Sequence, residues 1–400
     1  MTKFVSVIVL LIVASFSANS ASFKENAVKR HLPFQKIAIT SAVLNETIDI
    51  YVQLPFQYES EFSQHYRYPV LYTLDAPVGL PLVSGILEPL VGYNNAPQMI
   101  VVGISTANRG RDFTPTPDVN YEEQSGGADT YLRFIEQEVI PFIDAKFRTE
   151  EFRILLGHSY GGLLVSHSFH KKPDLFQAHF AFSPSLFWNN GETVRDIIKF
   201  INKNPSHRNF LYMNIGNEGN PESDSPEGVQ MLSGIRQIES AFADLNTQSL
   251  RFKVEYFPNE PHQNTPIYGV IGALRGLYPQ WSIPYQTALE GYESVLAHFN
   301  ELSTLYGYKI EPKEWEMFDE GLGQLHYLQN PAEAIKYFSY NIKQDPTTYR
   351  SRVHIIDAYL QLGNKEKALE QVNMLLSRDD LTDEERQQLT DKKVSVTEPL

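Results

Sequence analysis

Ser159 lies in Gly157-His158-Ser159-Tyr160-Gly161-Gly162, after the apolar run at 153–156 and before Leu163-Leu164-Val165. A serine between glycines, where a strand-like run meets a helix-like one, fits G-x-S-x-G. That pattern sets a nucleophile on a sharp strand-to-helix turn. Glycine is needed because the chain passes too close for a flanking side chain. The turn also puts the serine at a helix N-terminus, where free N–H groups favour developing negative charge.

A hydroxyl is a weak nucleophile and needs a base. On such a turn the partners follow in chain order as acid, then histidine. His262 sits in Pro258-Asn259-Glu260-Pro261-His262, just past the apolar run at 254–257. The other histidines come too early, on other elements, or in the C-terminal region (His298, His326 and His354). The acid should follow the strand at 210–216. Glu218 is placed for it, with Glu222, Asp224 and Glu227 as competitors close behind. Its role is to hold the imidazole tautomer and stabilise the imidazolium. An oxyanion hole would use the N–H of Tyr160 and a second N–H from the loop Asp75-Ala76-Pro77-Val78. Pro77 has none to give, so Ala76 or Val78 donates, or the second donor is missing.

The elements that must position these residues are legible as alternation. Between 36 and 279, strand-like runs alternate with helix-like ones after an antiparallel opening pair. The expected fold class is α/β, a mainly parallel sheet with helices on both faces. From 285 the chain becomes helical and charge-rich, and it repeats: residues 328–338 resemble 362–372 at an offset of 34. Ala334 falls on Ala368 and Asn330 on Asn364. That period resembles the tetratricopeptide repeat; an ordinary helical bundle is the alternative. Two copies are few for such an array, so they should pack on the sheet domain or on a further helix pair at 287–306.

Composition bounds the function. Aspartate and glutamate outnumber lysine and arginine 48 to 34, which argues against a nucleic-acid partner. Lys3, an apolar run from 4 to 16 and small residues through Ala21 form a signal-peptide pattern. An uncleaved anchor is the alternative. The expected organisation is a leader at 1–21, a hydrolytic domain at 22–284 and an all-α tetratricopeptide-like domain at 285–400, in a periplasmic or secreted protein. The chain has no cysteine, which removes disulfides, thiolate nucleophiles and thiolate zinc sites. No metal or organic cofactor is expected.

These residues, with the runs at 68–76, 101–117, 126–147, 153–164 and 181–188, resemble the putative-esterase family of α/β-hydrolases, in its siderophore-esterase-like branch. The resemblance spans roughly 36–280. It implies that Ser159 and His262 are catalytic with Glu218 as the acid, and that the loop Asn108-Arg109-Gly110-Arg111-Asp112 lies near the mouth of the site. Arg109 or Arg111 would anchor an acidic or catechol-like group; an arginine tied to Asp112 is the competing reading. Ser183, Ser185 and Trp188 would line the wall, although a tryptophan there is more often core. The family usually has Asp-Gly where this chain has Asp75-Ala76-Pro77, which leaves the oxyanion hole in question. The expected function is hydrolysis of a small-molecule carboxylic ester through an acyl-enzyme, a catecholate lactone being one candidate, with a protein partner on the helical repeats as a further expectation. The rival is an exported scaffold with an inactive hydrolase fold.

Overall fold

The computed structural model describes residues 34–397, apart from 61, 62, 77, 221–224, 246 and 248. The leader segment 1–21 and the competing acids Glu222 and Asp224 lie outside the described residues. Eight strands make one sheet: β1 (Gln35–Ser41), β2 (Glu46–Gln53), β3 (Tyr68–Thr73), β4 (Ile100–Ile104), β5 (Thr149–His158), β6 (Ala178–Phe182), β7 (Asn209–Ile215) and β8 (Leu250–Tyr256). Their order is β1-β2-β4-β3-β5-β6-β7-β8. β1 pairs antiparallel with β2, and β2 with β4; every pairing from β4 across to β8 is parallel.

β3, β4, β6 and β7 are buried at every position, as expected for parallel strands covered on both faces. Alternate side chains supply two cores. Val70, Tyr72, Val102, Leu155 and Leu211 enter one; Leu71, Val101, Ile154, Phe180 and Tyr212 enter the other. The helices Tyr160–Lys171, Trp188–Lys203 and Pro226–Ala243 cover the first core. So does a long helical stretch in which a π-helical turn, Ile135–Val139, joins Ala128–Phe134 to Ile140–Lys146. The sequence suggests a break near Pro141. Instead the wider turn accommodates a residue that has no N–H to give.

The helices Gly79–Gly92 and Thr265–Leu277 cover only part of the second core. The C-terminal region completes it. Val295, Phe299, Leu302 and Tyr306 of the helix Tyr292–Tyr306 enter the same cluster, followed by Ile310, Met317 and Tyr337. The Tyr306 hydroxyl donates to the Leu277 carbonyl at 2.9 Å, and its ring meets Phe152 edge-on. Phe34–Leu400 is accordingly one compact unit, and the expected division at 284/285 runs through a shared core. Beyond it come Pro331–Gln344, Tyr349–Gln361, Lys365–Leu376 and Asp383–Thr397. The offset of 34 is visible in the backbone. Asn330 caps the helix at Pro331 by accepting from Glu333 N–H, and Asn364 does the same for Lys367. Gln329 and Gly363, just before these caps, both have positive φ. Ala334 and Ala368 are both buried.

Candidate active site

β5 delivers Ser159 at its C-terminal end, and the helix Tyr160–Lys171 starts at the next residue. Ser159 is held at φ 60°, ψ −118°, a region that residues bearing a Cβ rarely adopt. The flanking glycines explain how the turn closes. A Cβ on Gly157 would sit 2.5 Å from the Gly161 backbone, and one on Gly162 would sit 2.9 Å from the Phe182 carbonyl oxygen. Ser159 N–H donates to Phe182 O at 3.0 Å, and Ser159 O accepts from Leu163 N–H at 2.9 Å. The serine is thus fixed by the end of β6 and by its own helix.

The candidate acid and base lie in the loops after β7 and β8. Glu218 lies in a single 3-10 turn, Asn217–Gly219, directly after β7. His262 opens a second such turn, His262–Asn264, in the loop after β8. Asn217 N–H donates to Glu260 O at 2.7 Å and ties the two loops together. The ring Nδ1 of His262 lies 3.0 Å from Glu218 Oε1. Burial alone would raise the Glu218 carboxyl. Hydrogen bonding to His262 and to the nearby Ser183 hydroxyl outweighs it and holds the group below its ordinary value. An ionised acceptor on Nδ1 leaves Nε2 of His262 as the basic atom. Ser159 and His262 are not directly hydrogen-bonded; Ser159 Oγ has Ser185 Oγ at 3.5 Å. The His262 ring lies instead against that of His158, the centroids 4.4 Å apart.

The other sequence-based candidates divide. Tyr160 is the first residue of its helix, so its N–H has no intrahelical acceptor and is available to an oxyanion. Ala76 differs from expectation: its N–H is directed to Ile104 O at 3.3 Å. Val78 N–H is likewise directed to Asp75 O. Neither is a free second donor in this arrangement. Arg109 is not a free anchor either. It grips Asp75 with both arms of its guanidinium, Nε to Oδ1 at 2.6 Å and Nη2 to Oδ2 at 3.0 Å, and reaches His158 O at 3.2 Å. Asp75 itself sits at φ 58°, so this fork fastens a strained loop to the elbow. Arg111 is spent on Glu46 and on Asp112, the latter buried; the competing reading of a structural arginine is the one the geometry favours. Trp188 is 1 % exposed and donates to Thr116 O at 3.0 Å. It supports the Tyr160 ring edge-on from within the core.

Two contributors escaped the sequence reading. Asn214, fully buried on β7, accepts from Ser183 N–H and donates to Thr265 O, both at 3.0 Å, so it links the chain beyond β6 to the histidine loop. His158 holds the His262 carbonyl. An asparagine within the apolar stretch 210–215 of β7 was the available signal for the first. His158, inside the motif, was visible only as a spacer.

A mainly parallel sheet with an elbow serine after β5, an acid after β7 and a histidine after β8 defines an α/β-hydrolase. The family model described as "Putative esterase" matches residues 41–254. The chain belongs to that family and is an ester hydrolase. It is 31% identical over 240 residues to the ferri-bacillibactin esterase BesA of Bacillus subtilis, covering 53% of this chain and 80% of that protein. It is 30% identical over 171 residues to the siderophore triacetylfusarinine C esterase of Aspergillus fumigatus, with 40% and 58% covered. Among solved structures, an IroE-like serine hydrolase from Shewanella oneidensis superposes with a TM-score of 0.65 at 25% identity, covering 77% of this chain and 98% of that one. An uncharacterised protein from Capnocytophaga ochracea, 15% identical, shares the fold over 91% of this chain and 99% of its own with a TM-score of 0.60.

Proposed function

We propose that this esterase works as a serine hydrolase with Ser159 as nucleophile, His262 as base and Glu218 as orienting acid, and that its substrates are siderophore-type small-molecule esters. The observation that carries the mechanism is the 3.0 Å contact of His262 Nδ1 with Glu218 beside the strained serine. His262 Nε2 takes the Ser159 proton as Oγ attacks the ester carbonyl. The Tyr160 N–H receives the oxyanion. The histidine then protonates the leaving alcohol, and a water attacks the acyl-enzyme with the same base. The substrate class is supported by what BesA and the A. fumigatus relative are named for.

Arg109 and Arg111 are occupied by carboxylates, and the chain carries a net charge of −14. The reading therefore does not rely on long-range capture of an anion by these arginines. Family membership does not favour the inactive-scaffold reading. We further read the paired helices from 331 as tetratricopeptide-like and the leader pattern as an export signal to the periplasm or medium. The test is hydrolysis of p-nitrophenyl acetate and of a cyclic siderophore lactone by wild type and Ser159→Ala. Wild type should turn over both, and the variant should lose at least about 10³-fold in kcat. Equal rates would overturn the mechanism. Turnover of the simple ester alone would overturn the substrate class.

A further inference from the structure

His158 occupies the last position of β5, immediately before the nucleophile. Its ring Nε2 is 3.0 Å from the carbonyl oxygen of His262. A carbonyl can only accept, so Nε2 carries the hydrogen and donates. That places a hydrogen on Nε2 of His158. The same carbonyl accepts from Thr265 Oγ1 at 2.9 Å, and the two imidazole rings lie 4.4 Å apart at 44°. The base is therefore held at its ring by Glu218, at its backbone by Thr265, and at both by His158. Of these contacts, only His158 joins the base to the residue bonded to Ser159. The groups facing the His158 ring and backbone are His262, Glu218 and Arg109, the last hydrogen-bonded to His158's own carbonyl.

We propose that His158 is a positioning residue that registers the His262 loop against the nucleophile elbow, through its Nε2–H bond to the His262 carbonyl and its ring contact. The inference rests on His262 being the base. Ser159 and His262 reside on different loops and share no direct hydrogen bond in the resting enzyme, so their spacing depends on whatever couples those loops. Neutrality is part of the device. Burial first, then the neighbouring His262, pushes His158 down to about 4. A charged ring there would oppose the imidazolium that forms on His262 during attack.

The experiment compares His158→Gln, whose amide can reach the carbonyl as a donor, with His158→Met, which keeps bulk without the donor, and His158→Asn, whose donor falls short. His262→Ala serves as reference. Kinetics on p-nitrophenyl acetate are read as kcat and KM across pH 5 to 9, with circular dichroism and urea midpoints for folding. Glutamine should stay within about threefold of wild type, while methionine and asparagine lose about tenfold or more in kcat at little changed KM, the worth of one hydrogen bond expressed in the transition state. The acid limb of the pH profile should persist in His158→Gln. Equal losses in the glutamine and methionine variants, or full activity in methionine, overturn the positioning role. If methionine fails to fold, the glutamine–asparagine difference decides in the same way. Disappearance of the acid limb in His158→Gln would make His158 the base and also overturn it. Full activity in His262→Ala would instead sink the underlying triad.

Discussion

At the scale of single residues the site shows one charge serving one ring. Glu218 is mostly buried, its side chain 14% exposed, and still remains below the ordinary carboxylate value because its hydrogen bonds favour the charged form more than burial disfavours it. Its chemistry is to keep the hydrogen of His262 on Nδ1. Glu218→Gln preserves size and burial but can present an N–H to Nδ1 and stabilise the wrong tautomer. We expect kcat to fall by about 10² to 10⁴ with the fold intact, measured as steady-state turnover alongside an unchanged circular dichroism spectrum. Activity within a factor of three would mean that another group orients the histidine. That Glu218 and His262 meet was readable from chain order, because order and loop position are properties of sequence. The arginines were not. The adjacent Asp112 was a visible partner for Arg111, but forking onto Asp75 or Glu46 depends on pairs 34 and 65 residues apart, and no local pattern records such pairs.

At the scale of elements, the β5–turn–helix unit holds Ser159 against backbone preference. Ser159 at φ 60° stores of order 1–3 kcal/mol of strain, held in place by its neighbours. Removing the Cβ should release part of it. Ser159→Gly is expected to be inactive yet about 1 kcal/mol more stable than Ser159→Ala, after allowing for the greater unfolded-state entropy of glycine. Urea titration of the two inactive variants makes the comparison, and an equal or lower midpoint for glycine would show that the elbow is unstrained. Alternation of strand and helix was legible because central strands buried on both faces read as apolar runs, unbroken in β4 and interrupted only by His179 in β6. The π-helical turn at Ile135–Val139 was not, since Pro141 marks a disturbance without saying how the chain absorbs it. The second oxyanion donor stayed open for a related reason: the sequence shows that Pro77 lacks an N–H, but not that the Ala76 N–H would turn toward β4.

At the scale of the whole molecule, the sheet needs cover on both faces, and the C-terminal helices provide part of it on the side away from the helix Tyr160–Lys171. The other face carries a burden of its own. His170 at the end of that helix and His179 inside β6 are both pushed down to about 3, by burial first, and His158 to about 4. His179 is wedged edge-on against Phe169 and Phe176, with Nδ1 on Asn209. In the unfolded chain these imidazoles titrate near 6.5, the ordinary value for histidine. As pH falls below that value the unfolded state takes up protons the folded state refuses. Stability is thus fully present above about pH 6.5 and declines on acidification, continuing until the folded values are reached. Taken alone, these three groups give a slope approaching three protons per molecule between about pH 5.5 and 4.5; Glu316, pushed up to about 7 by burial, takes its proton earlier in the folded state and offsets about one of them. Urea midpoints followed by tryptophan fluorescence from pH 8 to 4.5 test this. His179→Gln, which can keep a donor toward Asn209 and cannot titrate, should reduce the slope by about one proton. An unchanged slope in His179→Gln would show that this ring accepts protons in the folded core.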